Sequence, residues 1–168
     1  MLSMEGDHAR TPLLQSPEYV EVQPKLSPDG RWMAYISDES GKREVYVRPF
    51  PEVNKGRWQV SIKGGVSPLW SPDSRELFYF SEDDGSVTSV AVETAPVFKP
   101  GTPKKLFPRA AYLGGGTTPG TPWDIHPDGK RFLMIRRPDA PPAAGAKPRK
   151  INVVLNWFEE LKQRVPVK

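Results

Sequence analysis

The sequence predicts an all-β protein, a partial β-propeller of about three four-stranded antiparallel blades followed by a short C-terminal helix. Three observations predict it. One turn motif occurs three times in 168 residues, each copy leads into a run of aromatic and aliphatic residues of strand length, and the copies are spaced like blades. The motif prolines Pro28, Pro72 and Pro127 lie 72 − 28 = 44 and 127 − 72 = 55 residues apart. A four-stranded blade repeats at roughly 40–45 residues, so the longer interval fits a blade with a loop insertion.

The turn is read first. Pro28, Pro72 and Pro127 are followed by Asp29, Asp73 and Asp128, by Gly30, Ser74 and Gly129, and by a basic residue, Arg31, Arg75 or Lys130. Proline presets φ for the first corner, aspartate accepts hydrogen bonds from the backbone ahead of it, and glycine accepts a positive φ. Ser74 in place of glycine, and His126 in place of the serine before the third proline, are read as drift at turn positions. After the turn come "RWMAYIS", "RELFYFS" and "KRFLMIR", apolar on both faces as strands covered by neighbouring sheets would be. A second turn, "DESGKR" or "EDDGS", leads to third strands at "EVYVRPF" and "SVTSVAV". Outer strands are placed at "RWQVS" and "KKLF", and innermost strands before the prolines at "QPKLS", "SPLWS" and "PWDIH". The chain is thus one domain, 1–168, with blades at about 22–62, 66–108 and 122–156 and a tail at 157–168, where Trp157, Phe158, Leu161 and Val165 fall near one helical face.

Composition agrees with a turn-rich β protein. Pro and Gly total 20 + 14 = 34 residues, 37% of the chain is hydrophobic and 26% charged. The absence of cysteine excludes disulfides, thiolate metal sites and a cysteine nucleophile. The start, "MLSMEGDHAR", carries no apolar run, so the chain as written is expected in the cytoplasm. A net charge of +4 is spread over 24 basic and 20 acidic residues without a compact basic stripe, so nucleic acid is not an expected partner.

No catalytic motif is found. "GGVSPLW" around Ser67 lacks the second glycine of a nucleophile elbow, and the phosphate loop, catalytic-loop aspartate and Asp-Phe-Gly of a kinase are missing. His8 and His126, the only histidines, are too few for a histidine-rich metal site, and "SEDDG" at 81–85 lacks the alternation of a calcium loop and reads as a solvated hairpin tip. Trp32, Tyr35, Trp70, Phe78, Tyr79, Phe80, Trp123 and Phe132 recur on strands and are expected between blades rather than on a base-stacking platform. "GGGTTPGTP", 114–122, reads as the insertion that lengthens the second interval, and "RRPDAPPAAGAKPRK", 136–150, as an extended loop.

Taken in order, "LSPDGRWMAY", "EVYVRPFP", "GGVSPLWSPDSRELFY", "GTPKKLF" and "HPDGKRFLM" resemble the WD40-like (PD40) repeats of the TolB-type β-propeller family. "INVVLNWFEELKQRVP" resembles the C-terminal ending of bacterial serine/threonine kinase-linked propeller proteins. The resemblance implies a non-catalytic module for protein interaction or ligand sensing, forming the C-terminal part of a larger propeller protein. It implies neither cofactor nor metal. Its alternatives are the propeller portion of a kinase or serine peptidase whose catalytic domain lies outside this chain, and a periplasmic TolB-like scaffold; an extracytoplasmic location would follow for a fragment of an exported or membrane-anchored protein. A TolB-type ring has about six blades, so three leave two lateral faces open. A homodimer is expected to complete the ring, with "TPLL" at 11–14 as a strand lent to the partner's third blade.

Overall fold

The computed structural model describes residues 1–112 and 121–137. They form three antiparallel sheets that follow one another along the chain. The first is made of β1 (Glu21–Leu26), β2 (Trp32–Ser37), β3 (Glu44–Pro49) and β4 (Trp58–Gln59), in that spatial order. A single 3-10 turn at Val53–Lys55 separates the last two. The second sheet contains β5 (Gly65–Trp70), β6 (Glu76–Ser81), β7 (Ser86–Glu93), β8 (Lys99–Pro100) and β9 (Lys104–Pro108). β10 (Trp123–Ile125) and β11 (Phe132–Met134) form the described part of the third.

Side-chain alternation decides how the sheets stack. On β2 and β3, Trp32, Ala34, Val45 and Val47 face the second sheet, where they meet Trp70, Leu77, Tyr79, Val90, Val92 and Phe98. The odd face of β6 serves this interface and its even face the next: Phe78 and Phe80 pack with Val66, Leu69, Val87 and Trp123, against which Phe132 and Met134 lie. Phe80 and Trp123 have ring centroids 4.4 Å apart, and Trp123 stacks on Phe132 at 5.2 Å. All six residues of β2 and of β5 are buried, which explains why apolar side chains stand on both faces of these strands, with Ser37 and Ser67 buried among them. Each large apolar side chain removed from water in this way contributes about 1.5–3 kcal/mol.

Two expectations are corrected. The second sheet has five strands rather than four, because eight-residue β7 pairs with β9 along Ser86–Ser89 and with β8 at Val92 and Glu93. Phe98, 1% exposed, inserts between Trp32, Trp58 and Trp70 and draws the following residues onto the end of β7. Residues 11–14 form no strand; Leu13 and Leu14 pack on Met33, Tyr35, Tyr46 and Val53, the face of the first sheet turned away from the second. That face is continuous and apolar, and covering it in place removes more surface from water than extending two leucines into solvent. The expected C-terminal helix, residues 138–150 of the long loop and most of the 114–122 insertion lie outside the described residues.

Candidate functional site

The three repeated turns connect the innermost strand of each sheet to its neighbour: β1 to β2, β5 to β6 and β10 to β11. In the first, the Gly30 amide donates to the Ser27 carbonyl at 2.8 Å, and the Ser27 amide to the Trp32 carbonyl at 2.8 Å. The Ser27 hydroxyl donates to Asp29 and accepts from the Trp32 amide at 3.0 Å, while Asp29 Oδ1 accepts from the Arg31 amide at 3.2 Å and Oδ2 from Arg31 Nε at 2.9 Å. The second turn repeats this. Ser71 Oγ donates to Asp73 at 2.6 Å and accepts from the Glu76 amide at 2.8 Å; Asp73 Oδ1 accepts from the Arg75 amide at 3.1 Å. In the third, His126 Nδ1 replaces the serine hydroxyl, accepting from the Asp128 amide at 3.2 Å, and Asp128 Oδ1 accepts from the Lys130 amide at 2.9 Å.

The third position has the same left-handed backbone in all copies, φ +71° at Gly30, +61° at Ser74 and +69° at Gly129. Ser74 is therefore more than drift. Its buried side chain faces the first turn, where its Oγ lies 3.4 Å from the Asp29 amide, and a Cβ on Gly129 would lie 3.7 Å from Pro72 Cδ. The three turns accordingly sit side by side, first against second and second against third.

All three carboxylates are held ionised. Partial burial opposes ionisation at Asp29, but hydrogen bonds from Ser27 and from the Arg31 amide and guanidinium outweigh it and lower its pKa. At Asp73 the Ser71 hydroxyl leads and the Arg75 amide follows, again lowering the pKa. At Asp128 the Lys130 amide is the main cause of the same shift, with Arg131 adding to it. Carboxylates saturated by their own turns are poor proton shuttles near neutral pH.

The strands leading into the turns carry a feature the sequence reading missed. Gln23 and Ser67, both non-glycine and each followed by proline, have φ of +53° and +56° at equivalent bulges in β1 and β5. The Ser67 amide donates to Gln23 Oε1 at 3.1 Å, Trp70 Nε1 to the Lys25 carbonyl at 3.1 Å and Trp123 Nε1 to the Ser67 carbonyl at 3.0 Å, so each innermost strand is bonded to the one before it. Ser67 is no ordinary strand residue: it is fully buried and its hydroxyl has no hydrogen-bond partner among the described residues. The available signal was a second proline four residues before the turn proline, Pro24 and Pro68.

The other candidates do not converge with the turns. His8 lies in the N-terminal segment, its Nδ1 3.2 Å from the Ser3 carbonyl oxygen. Among the described residues no group of three or more His, Asp or Glu side chains is disposed to hold a metal ion. Trp32, Tyr35, Trp70, Phe78, Tyr79, Phe80 and Trp123 are buried and Phe132 is partly so. No described helix is long and apolar enough to cross a membrane.

No family model matches the chain. It is 35% identical over 81 residues to the Tol-Pal system protein TolB of Alcanivorax borkumensis, covering 46% of this chain and 18% of that protein. It is 40% identical over 57 residues to the uncharacterized peptidase YuxL of Bacillus subtilis, covering 33% of this chain and 9% of that protein. The chain thus spans less than a fifth of the length of either relative. Among solved structures, an oligogalacturonate lyase from Vibrio parahaemolyticus superposes with a TM-score of 0.50 at 17% identity, over 70% of this chain and 30% of that one, a likeness of fold. TolB from Acinetobacter baumannii gives 0.47 at 20% identity, over 70% and 27%.

Proposed function

We propose, from the premise that this chain is a TolB-like β-propeller repeat region distantly homologous to TolB and to YuxL, that it is a non-catalytic binding module. Its three sheets are successive blades of a partial propeller, and the face carrying the repeated turns meets a protein partner. The observation that carries this reading is the fixed, side-by-side arrangement of the turns, which presents Arg31, Arg75, Lys130 and Arg131 beside carboxylates already engaged by their own backbone. Such a surface is pre-organised for recognition, and its three aspartates are already engaged in their own turns. The test is a pair of measurements on the purified chain. Partner capture is expected to fall at least tenfold in the triple variant Arg31→Glu/Arg75→Glu/Lys130→Glu at unchanged melting temperature. Phosphate transfer or peptide hydrolysis that disappears on a point substitution in this chain would overturn the reading.

A second reading makes the chain the propeller portion of a serine peptidase, and the match to YuxL favours it. Sequencing the gene on both sides of the chain distinguishes the two: an adjoining domain with a nucleophile elbow supports the peptidase, an unrelated neighbour the stand-alone module. For a stand-alone module, and not for a piece of a larger propeller, closure of the ring by a second copy is part of this reading.

A further inference from the structure

The third repeated turn differs from the first two in one atom's chemistry. Ser27 and Ser71 close theirs with hydroxyls that donate to Asp29 and Asp73 and accept backbone amides at the same time. A hydroxyl does both in a single state, whereas an imidazole nitrogen accepts when bare and donates when protonated. His126 holds the serine position, and histidine is the side chain that ordinarily gains its proton between about pH 5 and 8.

Both partners of its Nδ1 are already in place. The Asp128 amide, a donor, lies 3.2 Å away, and Asp128 Oδ2, an acceptor, 3.1 Å away. A bare Nδ1 accepts from the amide and has no proton to offer the carboxylate; a protonated Nδ1 donates to the carboxylate and releases the amide. Oδ2 also accepts from Arg131 Nη2 at 2.9 Å and Nε at 3.2 Å, and the same Nη2 stands 3.3 Å from the ring's Nδ1 and 3.2 Å from its Nε2. Two cations at that separation repel, so a protonated ring opposes Arg131 in the place it holds. Asp128 stays ionised throughout, because the Lys130 amide on Oδ1 at 2.9 Å, with Arg131 adding to it, holds its pKa low. The surrounding charges are otherwise engaged. Asp124 of β10 flanks the ring with its Oδ1 accepting from the Ile125 amide at 2.8 Å, and across the junction Gly129 lies against Pro72 of the second turn, whose Asp73 is bound by Ser71 and the Arg75 amide. With side-chain exposures of 51% and 67%, His126 and Arg131 meet solvent directly, so the proton enters without unfolding.

We infer that the third turn is a pH-dependent switch: as His126 takes up a proton, its Nδ1 exchanges the Asp128 amide for the Asp128 carboxylate, and Arg131 leaves its place beside the ring. The third turn gains one positive charge and a freed guanidinium, while the two serine turns are unchanged. The inference concerns the third turn alone and holds whatever the turn face binds.

The experiment follows the isotope-labelled full chain by NMR from about pH 8 to about pH 5. In the parent, the Asp128 amide is expected to shift upfield with the midpoint of the His126 ring, while the Lys130, Arg31 and Arg75 amides, bonded to Asp carboxylates, hold their positions. His126→Ser restores the hydroxyl of the other turns, assigns the ring signal by its loss, and is expected to abolish the Asp128 transition; should it fail to fold, His126→Asn takes its part. Arg131→Gln removes the opposing cation and is expected to keep the transition with its midpoint moved to higher pH. A ring that does not titrate in this range, an Asp128 amide that stays in place while the ring titrates, a transition of equal size in the folded His126 variant, or a midpoint in Arg131→Gln at or below that of the parent would overturn the inference.

Discussion

Ser71 Oγ is a buried atom with three tasks: it donates to Asp73 and accepts from the amides of Arg75 and Glu76. Ser71→Ala leaves the Glu76 amide unpaired beneath the turn and is expected to cost about 1–3 kcal/mol, read from urea denaturation. Asp29→Ala, at a more open position, is expected to cost about 1 kcal/mol. Gly30→Ala isolates backbone conformation, since a Cβ there meets nothing within 4 Å and only the positive φ opposes it, for about 1 kcal/mol. Acid weakens all three turns in the same sense. The pKa values of Asp29, Asp73 and Asp128 are lower folded than unfolded, so their stabilisation is complete above the unfolded carboxylate pKa and disappears as pH falls through the folded values. Melting temperature is expected to be flat near neutrality and to decline below about pH 4; the triple Asn variant at these positions should flatten the decline. The Pro-Asp-Gly pattern was legible because three copies expose a spacing. The serine hydroxyls and the Gln23 and Ser67 bulges were not, since one polar side chain in a strand has no periodicity to announce that it turns inward.

Among elements, the link from the first sheet to the second is the most constrained. Glu44 on β3, fully buried, accepts from the Ser61 hydroxyl and from the Gly64 amide at 2.9 Å, and Ser61 Oγ accepts from the Val45 amide at 2.7 Å. A Cβ on Gly65 would fall 2.5 Å from Ser61 Oγ and 3.1 Å from Tyr79 Cδ2, so Gly65→Ala must displace this clamp. It is expected to cost more than Gly30→Ala, about 2 kcal/mol or above, and to lower the protection of the Gly64 amide in hydrogen exchange. The long central strands were readable from composition because burial on both faces puts apolar side chains on both. Of the two-residue strands, β4 falls within the outer strand read at "RWQVS", whereas β8 was not readable: it exists through pairing with the end of β7, and local sequence carries no record of a partner. Phe98, between prolines in "PVFKPG", gave no hint that it anchors a fifth strand.

At the scale of the molecule, sequence spacing disclosed the succession of sheets but misplaced the N-terminal segment, because whether a short apolar stretch pairs as a strand or packs as a cover depends on the face it finds. Leu13 and Leu14 cover Met33 and Tyr35. Deleting residues 1–15 is therefore expected to lower the melting temperature by several degrees and to increase binding of an apolar dye. The proposed closure by a second copy then falls chiefly to the far side, where Leu133 and Ile135 are 74% and 55% exposed. Sedimentation velocity at micromolar concentration is expected to give a dimer, weakened by Leu133→Asp; a monodisperse, well-folded monomer would refute closure.

The indole bonds between innermost strands have a consequence for how the molecule comes apart. Trp70 Nε1 is tied to the carbonyl of Lys25 and Trp123 Nε1 to that of Ser67, so each seam between sheets carries one indole proton that is released when that seam parts. The two indole signals form a pair of clocks. With contacts confined to neighbours, the stack opens from an end, and the Trp123 proton should exchange with deuterium well before that of Trp70. Equal rates would mean that the seams part together, as a single latch rather than a zip.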